Sequence, residues 1–198
     1  MQFFSERPEG EQDPEPTPRA LPAWIQPPDG EIPVPLAVGR VLARVPSAAL
    51  LLKRIDVYSS GCEFRIAVAA RRDRSQPEER WFDILDVIQP MGHHRRRRSG
   101  PRVGVTLADG RTATGDEDRP SLERDERTGP IVTLRGGGGG GSDQNYEMTY
   151  RAWLWPVPPA GALTLHYAWP GLGIDEGGVE LDGARVAEAA RAAQQIWE

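Results

Sequence analysis

The side chains that could do chemistry in this sequence are few, and their spacing decides what each could do. His166 precedes the carboxylates Asp175 and Glu176. A histidine oriented by a carboxylate is a general base near neutral pH, because imidazole changes charge in that range. A pocket near these three residues would make the protein an enzyme or a small-ligand binder. The same histidine lies on the strand face opposite Leu163 and Leu165, the ordinary place of a residue that flanks a sheet. Asp175 and Glu176 are adjacent in a loop, with nothing to push their acidities apart into an acid and a base. Cys62 would be a nucleophile if its thiolate were favoured. It opens an alternating apolar run instead, where cysteine behaves as a small hydrophobe. Neither a Gly-x-Ser-x-Gly elbow nor a His-Glu-x-x-His motif occurs. No catalytic constellation emerges, and the residues point to no metal site and no cofactor.

Two low-complexity runs carry other chemistry. "HHRRRR" ends in Arg95, Arg96, Arg97 and Arg98, which could grip nucleic acid or an acidic partner. No aromatic residue is interleaved for base stacking, and no carboxylate or cysteine stands at metal-ligand spacing from the two histidines. A solvated loop facing the acidic stretch 115–129 is the plainer reading. Six glycines occupy 136–141. A phosphate loop needs a helix after it and usually a lysine; here no lysine follows and the next run has strand character. The glycines are therefore expected to be a flexible connector, slack between strands. After them come Trp153, Trp155, Tyr167 and Trp169, candidates for a partner-binding face. They serve equally as core if both faces of their strand are covered.

Composition bounds these readings. The chain has 198 residues, 38% hydrophobic and 27% charged, enough for a folded domain with a real core. A formal net charge of −5 argues against nucleic acid as the partner. Cys62 is the only cysteine, which excludes an internal disulfide and suits a reducing compartment. Neither a signal peptide nor the roughly 20-residue apolar run of a membrane span is present, so a soluble, cytoplasmic protein is expected.

The elements follow from periodicity. Residues 1–30 alternate acids and prolines and read as a disordered tail, with Trp24 and Ile25 able to dock on the domain edge. One domain, 31–198, follows. "IPVPLAVGRVLARV" suits an edge strand, because proline lacks the donor an inner strand needs. Residues 48–58 and 61–71 should form a hairpin across Ser59-Ser60-Gly61, with Cys62, Phe64, Ile66, Val68 and Ala70 on one face and Glu63, Arg65 and Arg71 on the other. A short helix near 79–89 is marked by Trp81, Ile84, Leu85 and Ile88 and stopped by Pro90. Asp109-Gly110 signals a tight turn, and "IVTLR" a short strand. "YEMTYRAWLW" and "ALTLHYAW" are expected to pair as a hairpin around Pro156 to Gly161. A terminal amphipathic helix near 183–197 begins at an Asp182 N-cap and carries Val186, Ala189, Ala190, Ala193 and Ile196 on one stripe. Short antiparallel strands without βαβ alternation predict a mainly β fold, an antiparallel β-sandwich or open barrel with a short mid-chain helix and a C-terminal amphipathic helix.

"GGGGGGS", "WLWPVPPAGALTLHYAWPGLGIDE" and "DVYSSGCEFRIAVAAR" together resemble a group of uncharacterised proteins from high-GC bacteria. These share a polyglycine stretch followed by W-x-WPxPPxG and WPxxGIxE motifs and an alanine-rich C-terminal helix. The match covers roughly 31–198 and implies no activity. It departs at Cys62, where a phenylalanine is usual, and so lends the cysteine no catalytic role. The sequence therefore favours a non-catalytic interaction or structural module, self-associating or binding a protein partner. A small-ligand site near His166 and a nucleic-acid contact through Arg95, Arg96, Arg97 and Arg98 are its alternatives.

Overall fold

The computed structural model describes residues 21–89, 100–115 and 128–197. The acidic tail up to residue 20, the run Arg95, Arg96, Arg97 and Arg98, and nearly all of the acidic loop lie outside them. Alternating side chains build β1 (Glu31–Ile32), β2 (Val34–Val45), β3 (Ala48–Tyr58), β4 (Gly61–Arg71), β5 (Arg102–Thr106), β6 (Thr112–Gly115), β7 (Ile131–Gly141), β8 (Asn145–Trp155), β9 (Ala162–Trp169), β10 (Ile174–Asp182) and β11 (Gln194–Gln195). Helix α1 (Glu78–Ile88) lies between β4 and β5, and α2 (Gly183–Ala190) follows β10. No helix among the described residues is long and apolar enough to cross a membrane.

The strands form two main antiparallel sheets, β2-β3-β4-β8-β7 and β10-β9-β5-β6, and a ribbon of β1 and β11. The two sheets face each other without closing into a barrel, as the sandwich expectation requires. Period-two alternation sends Leu52, Phe64, Ile66 and Leu154 inward from one sheet and Leu163, Leu165 and Trp169 inward from the other. Each such buried side chain contributes roughly 1.5–3 kcal/mol. Tyr150 and Trp169 meet edge to face across the gap, with ring centroids 5.3 Å apart. The β3–β4 hairpin has the expected bounds, and proline-bearing β2 is an edge strand.

Three expectations are corrected. The segments β8 and β9 do not pair with each other: β8 lies between β4 and β7, and β9 between β5 and β10. Their six-residue connection, with three prolines, carries the chain from one sheet to the other, so their aromatic faces meet across the core rather than along a ladder. The glycines are not slack. They extend "IVTLR" into a full edge strand, with Gly136 opposite Tyr150 and Gly141 opposite Tyr146, and a register shift between Gly136 and Gly139. Ladder hydrogen bonds need only backbone, and none of these glycines has a positive φ. The terminal helix is shorter than its apolar stripe. Asp182 caps it as expected, accepting from the backbone N–H groups of Ala184 and Arg185, but it ends at Ala190. Beyond it the chain extends into β11, which pairs with β1 and leaves Ile196 exposed.

Candidate functional site

The five-stranded sheet has a second face, and the alternation that fills the core also composes it. A register shift in β3 leaves Lys53 and Arg54 exposed between buried Leu52 and Ile55. Strand pairing then sets Arg54 opposite Arg65, Arg65 opposite Arg151, and Arg151 opposite Arg135. Four arginines thus form one row across four strands. The neighbouring row reads Asp56, Glu63, Trp153 and Thr133. Like charges directly opposite on adjacent strands repel, so the arginine row requires compensation.

Part of the compensation comes from the carboxylates. Asp56 is buried, and its two oxygens accept from Arg54 Nε at 2.8 Å and Arg65 Nε at 2.7 Å. Glu63, only 5% exposed, has Oε1 at 3.0 Å from Arg65 Nη2, close enough for an ion pair. That contact lacks hydrogen-bond alignment, and Oε1 has no hydrogen-bond partner among the described residues. Burial pushes the Glu63 carboxyl above its ordinary range, with Arg65, Arg151 and Arg135 pulling against it. Burial likewise raises Tyr58, helped by the negative charge of Glu63 and Asp56. Arg135 Nη1 donates to Gln26 Oε1 at 3.4 Å. Arg151 is exposed and makes no ion pair among the described residues.

Residues 21–31 roof this face. Trp24 and Ile25, expected to dock on the domain edge, are buried against the sheet. Trp153 Nε1 donates to the Ala23 carbonyl at 2.9 Å, and Thr133 Oγ1 to that of Trp24 at 3.4 Å. Tyr58 stands edge-on to Trp153, with ring centroids 5.7 Å apart. The far end of the roof is latched twice. Glu31 accepts from the Ser59 N–H at 2.8 Å and from Gln195 Nε2 at 2.9 Å, and the Ile196 N–H donates to the Gly30 carbonyl at 2.7 Å. Between roof and sheet lies a cavity of about 290 Å³, lined by Arg65, Arg135, Arg151, Glu63, Tyr58 and Trp153 together with the strap from Ile25 to Glu31. That is close to the lower bound of small-molecule pockets.

The residues singled out from sequence are dispersed. Trp169 is wholly buried between the sheets, and Trp153 lies under the roof. Tyr167 is half-buried and donates to the Leu42 carbonyl at 2.6 Å, tying β9 to β2. Trp155 is half-buried at the end of β8, opposite Ile131. His166 Nε2 shares a hydrogen bond with Thr106 Oγ1 at 2.8 Å, whereas Asp175 and Glu176, expected in a loop, are exposed on strand β10. No hydrogen bond or ion pair joins either carboxylate to His166 among the described residues. Cys62 is buried in the core, where burial pushes its thiol far above its usual range and leaves no thiolate to react. No group of three or more histidines, cysteines and carboxylates is gathered as metal ligands would be among the described residues.

The arginine row was not legible as a site in the sequence. Arg54, Arg65, Arg135 and Arg151 are scattered over three strand pairings, and only the register brings them together. Their outward positions in alternating runs were the signal available. No protein-family model, no curated protein and no solved structure matches the chain.

Proposed function

We propose that this protein is a non-catalytic binding module whose ligand is a small molecule bearing an anionic group, seated between the N-terminal strap and the outer face of the five-stranded sheet. The observation that carries this reading is the in-register row Arg65, Arg151 and Arg135 beneath a roofed cavity. Guanidinium groups are forked donors suited to carboxylate and phosphate, and the strand register sets their backbones side by side. An anion placed there adds to the compensation that Asp56 and Glu63 give the row. The cavity holds no activated nucleophile, and the only cysteine is sealed away from it. Calorimetric titration of the whole chain with acetate, malonate and inorganic phosphate tests the reading. At least one should bind with a saturable isotherm, and Arg151→Gln should weaken it about tenfold or more, the worth of one charge-assisted pair. No saturable binding by any of the three overturns the proposal.

A second reading has its own support. Ile32, Ile196 and Trp197 are 52%, 48% and 77% exposed on or beside the β1–β11 ribbon, and self-association through this ribbon would cover them. Light scattering across a concentration series tests it, and a monomer at every concentration removes it.

A further inference from the structure

We infer that the ligand of the roofed cavity is a zwitterion, a small amino-carboxylate whose anionic end lies on Arg151 and Arg135 and whose ammonium end donates to Glu63. The inference rests on the binding proposal above and specifies its ligand class.

Two features of the cavity carry it. The first is the segregation of charge. Arg65, Arg151 and Arg135 form one row, whereas Glu63 sits in the next row, toward the Tyr58–Gly61 end of the β3–β4 hairpin. Glu31 enters the cavity lining from the strap at that same end, where it holds the Ser59 N–H. The ionised groups lining the cavity are Arg65, Arg135 and Arg151 against Asp29, Glu31 and Glu63. Three charges of each sign make a lining that is neutral in sum, with Glu31 and Glu63 gathered at the Tyr58–Gly61 end. A ligand with only an anion would satisfy one row and set its charge near the carboxylates of the other. A ligand carrying both charges, placed head to tail, meets each row with its opposite.

The second feature is the unmatched oxygen. The carboxylate of Asp56 is fully engaged by Arg54 and Arg65, and that of Glu31 by Ser59 and Gln195. Glu63 Oε1 alone among these is a buried acceptor with no aligned donor, although Arg65 stands near it. An ammonium group supplies the aligned donor that Arg65, an ion-pair partner at 3.0 Å, does not. Adjacent outward rows lie two residues apart along a strand, roughly 7 Å. Side-chain ends close part of that gap, as Arg65 and Glu63 do at 3.0 Å, so the ligand's charge separation lies at or below it, and a cavity of about 290 Å³ takes a molecule of that size.

The test uses the whole chain and a series of linear ω-amino carboxylates with about two to six carbons, each compared with the carboxylate that lacks the amine. Thermal-shift and calorimetric titrations are read in parallel. One member of the amino series should bind at least about tenfold tighter than its amine-free counterpart, with an optimum at an intermediate length. Glu63→Gln should erase that preference while retaining binding of the simple carboxylate. Arg151→Gln should weaken both compounds alike. Equal binding of the matched pairs at every length overturns the zwitterion and leaves the anion site standing. Absence of binding by either series, with acetate, malonate and phosphate also inert, overturns both.

Discussion

The two faces of the five-stranded sheet are made by the same strands and obey opposite rules. Inward, β3, β4 and β8 present Leu52, Phe64, Ile66 and Leu154, and the opposing sheet packs against them. Outward, the same strands present Arg54, Asp56, Glu63, Arg65 and Arg151, covered in part by a strap of ten or so residues. The inner face is stabilised by area removed from water, which is indifferent to exact partners. The outer face is stabilised by matched charges and hydrogen bonds, and a single unmatched group there has a large effect. A protein that needs only a core has no reason to bury Asp56 and Glu63 on the other side of the sheet. The contrast is why the proposed site is placed on the outer face, while the inner one carries the core.

Two tryptophans break the comparison most sharply. Trp169→Ala empties a wholly buried site between the sheets and should cost about 3–5 kcal/mol in denaturant melts, with the strap still docked on the folded fraction. Trp153→Ala removes a side chain that is equally buried but held by the strap carbonyl of Ala23. It should cost roughly 3 kcal/mol and also lower hydrogen-exchange protection across residues 21–31. Unchanged protection there would mean that the roof is not anchored through Trp153.

The glycine strand sharpens the contrast where no side chains exist. A Cβ on Gly137 would lie 2.8 Å from the Thr149 carbonyl oxygen, and one on Gly141 would collide with the Asn145 carbonyl oxygen. Gly138 and Gly140 face open space. Gly137→Ala should therefore lose about 1–3 kcal/mol, whereas Gly138→Ala and Gly140→Ala should gain about 0.4–1 kcal/mol by restricting the unfolded chain. Equal effects at all three positions in chemical melts would show that the glycines do not approach β8 as described.

The smallest effect is electrostatic. The Glu63 carboxyl titrates above its ordinary value in the folded protein, because of burial first and the charge of Asp56 last among the causes that raise it. Above the unfolded value and below the folded one, the native state holds a proton that the unfolded chain has released. Stability from this group is therefore complete at low pH and declines as pH rises through that window. Glu63→Gln should flatten the decline in a pH series of melting temperatures. A steeper decline in the variant contradicts the assignment.

Much of the architecture was readable because alternation and turn chemistry are local. Cys62, Phe64 and Ile66 announced a strand with one apolar face, Asp182 announced a cap, and Pro33 and Pro35 announced an edge. What depended on pairing was not readable. Six glycines have no side-chain period, so a paired strand and a loose tether look alike in sequence. The aromatic segments β8 and β9 had every local mark of a hairpin, yet the glycine strand is reached through a shorter turn and took the place beside β8. Trp24 and Ile25 stood out from the acidic tail as residues able to dock, but the face they cover was not readable. The candidate site fell in the same blind spot, since Arg65, Arg151 and Arg135 become neighbours only through two strand registers.

The β1–β11 ribbon gives the molecule an order of failure under mechanical load. Glu31 pairs with Gln195 and Ile32 with Gln194, so tension applied through residues 30 and 197 enters the ribbon at one end and opens its bonds one after another. The main sheets, whose ladders extend over many more residues, stay unloaded until the ribbon has parted. Pulling on residues 30 and 197 would therefore free the far end of the cavity's cover while the sandwich beneath it remains intact.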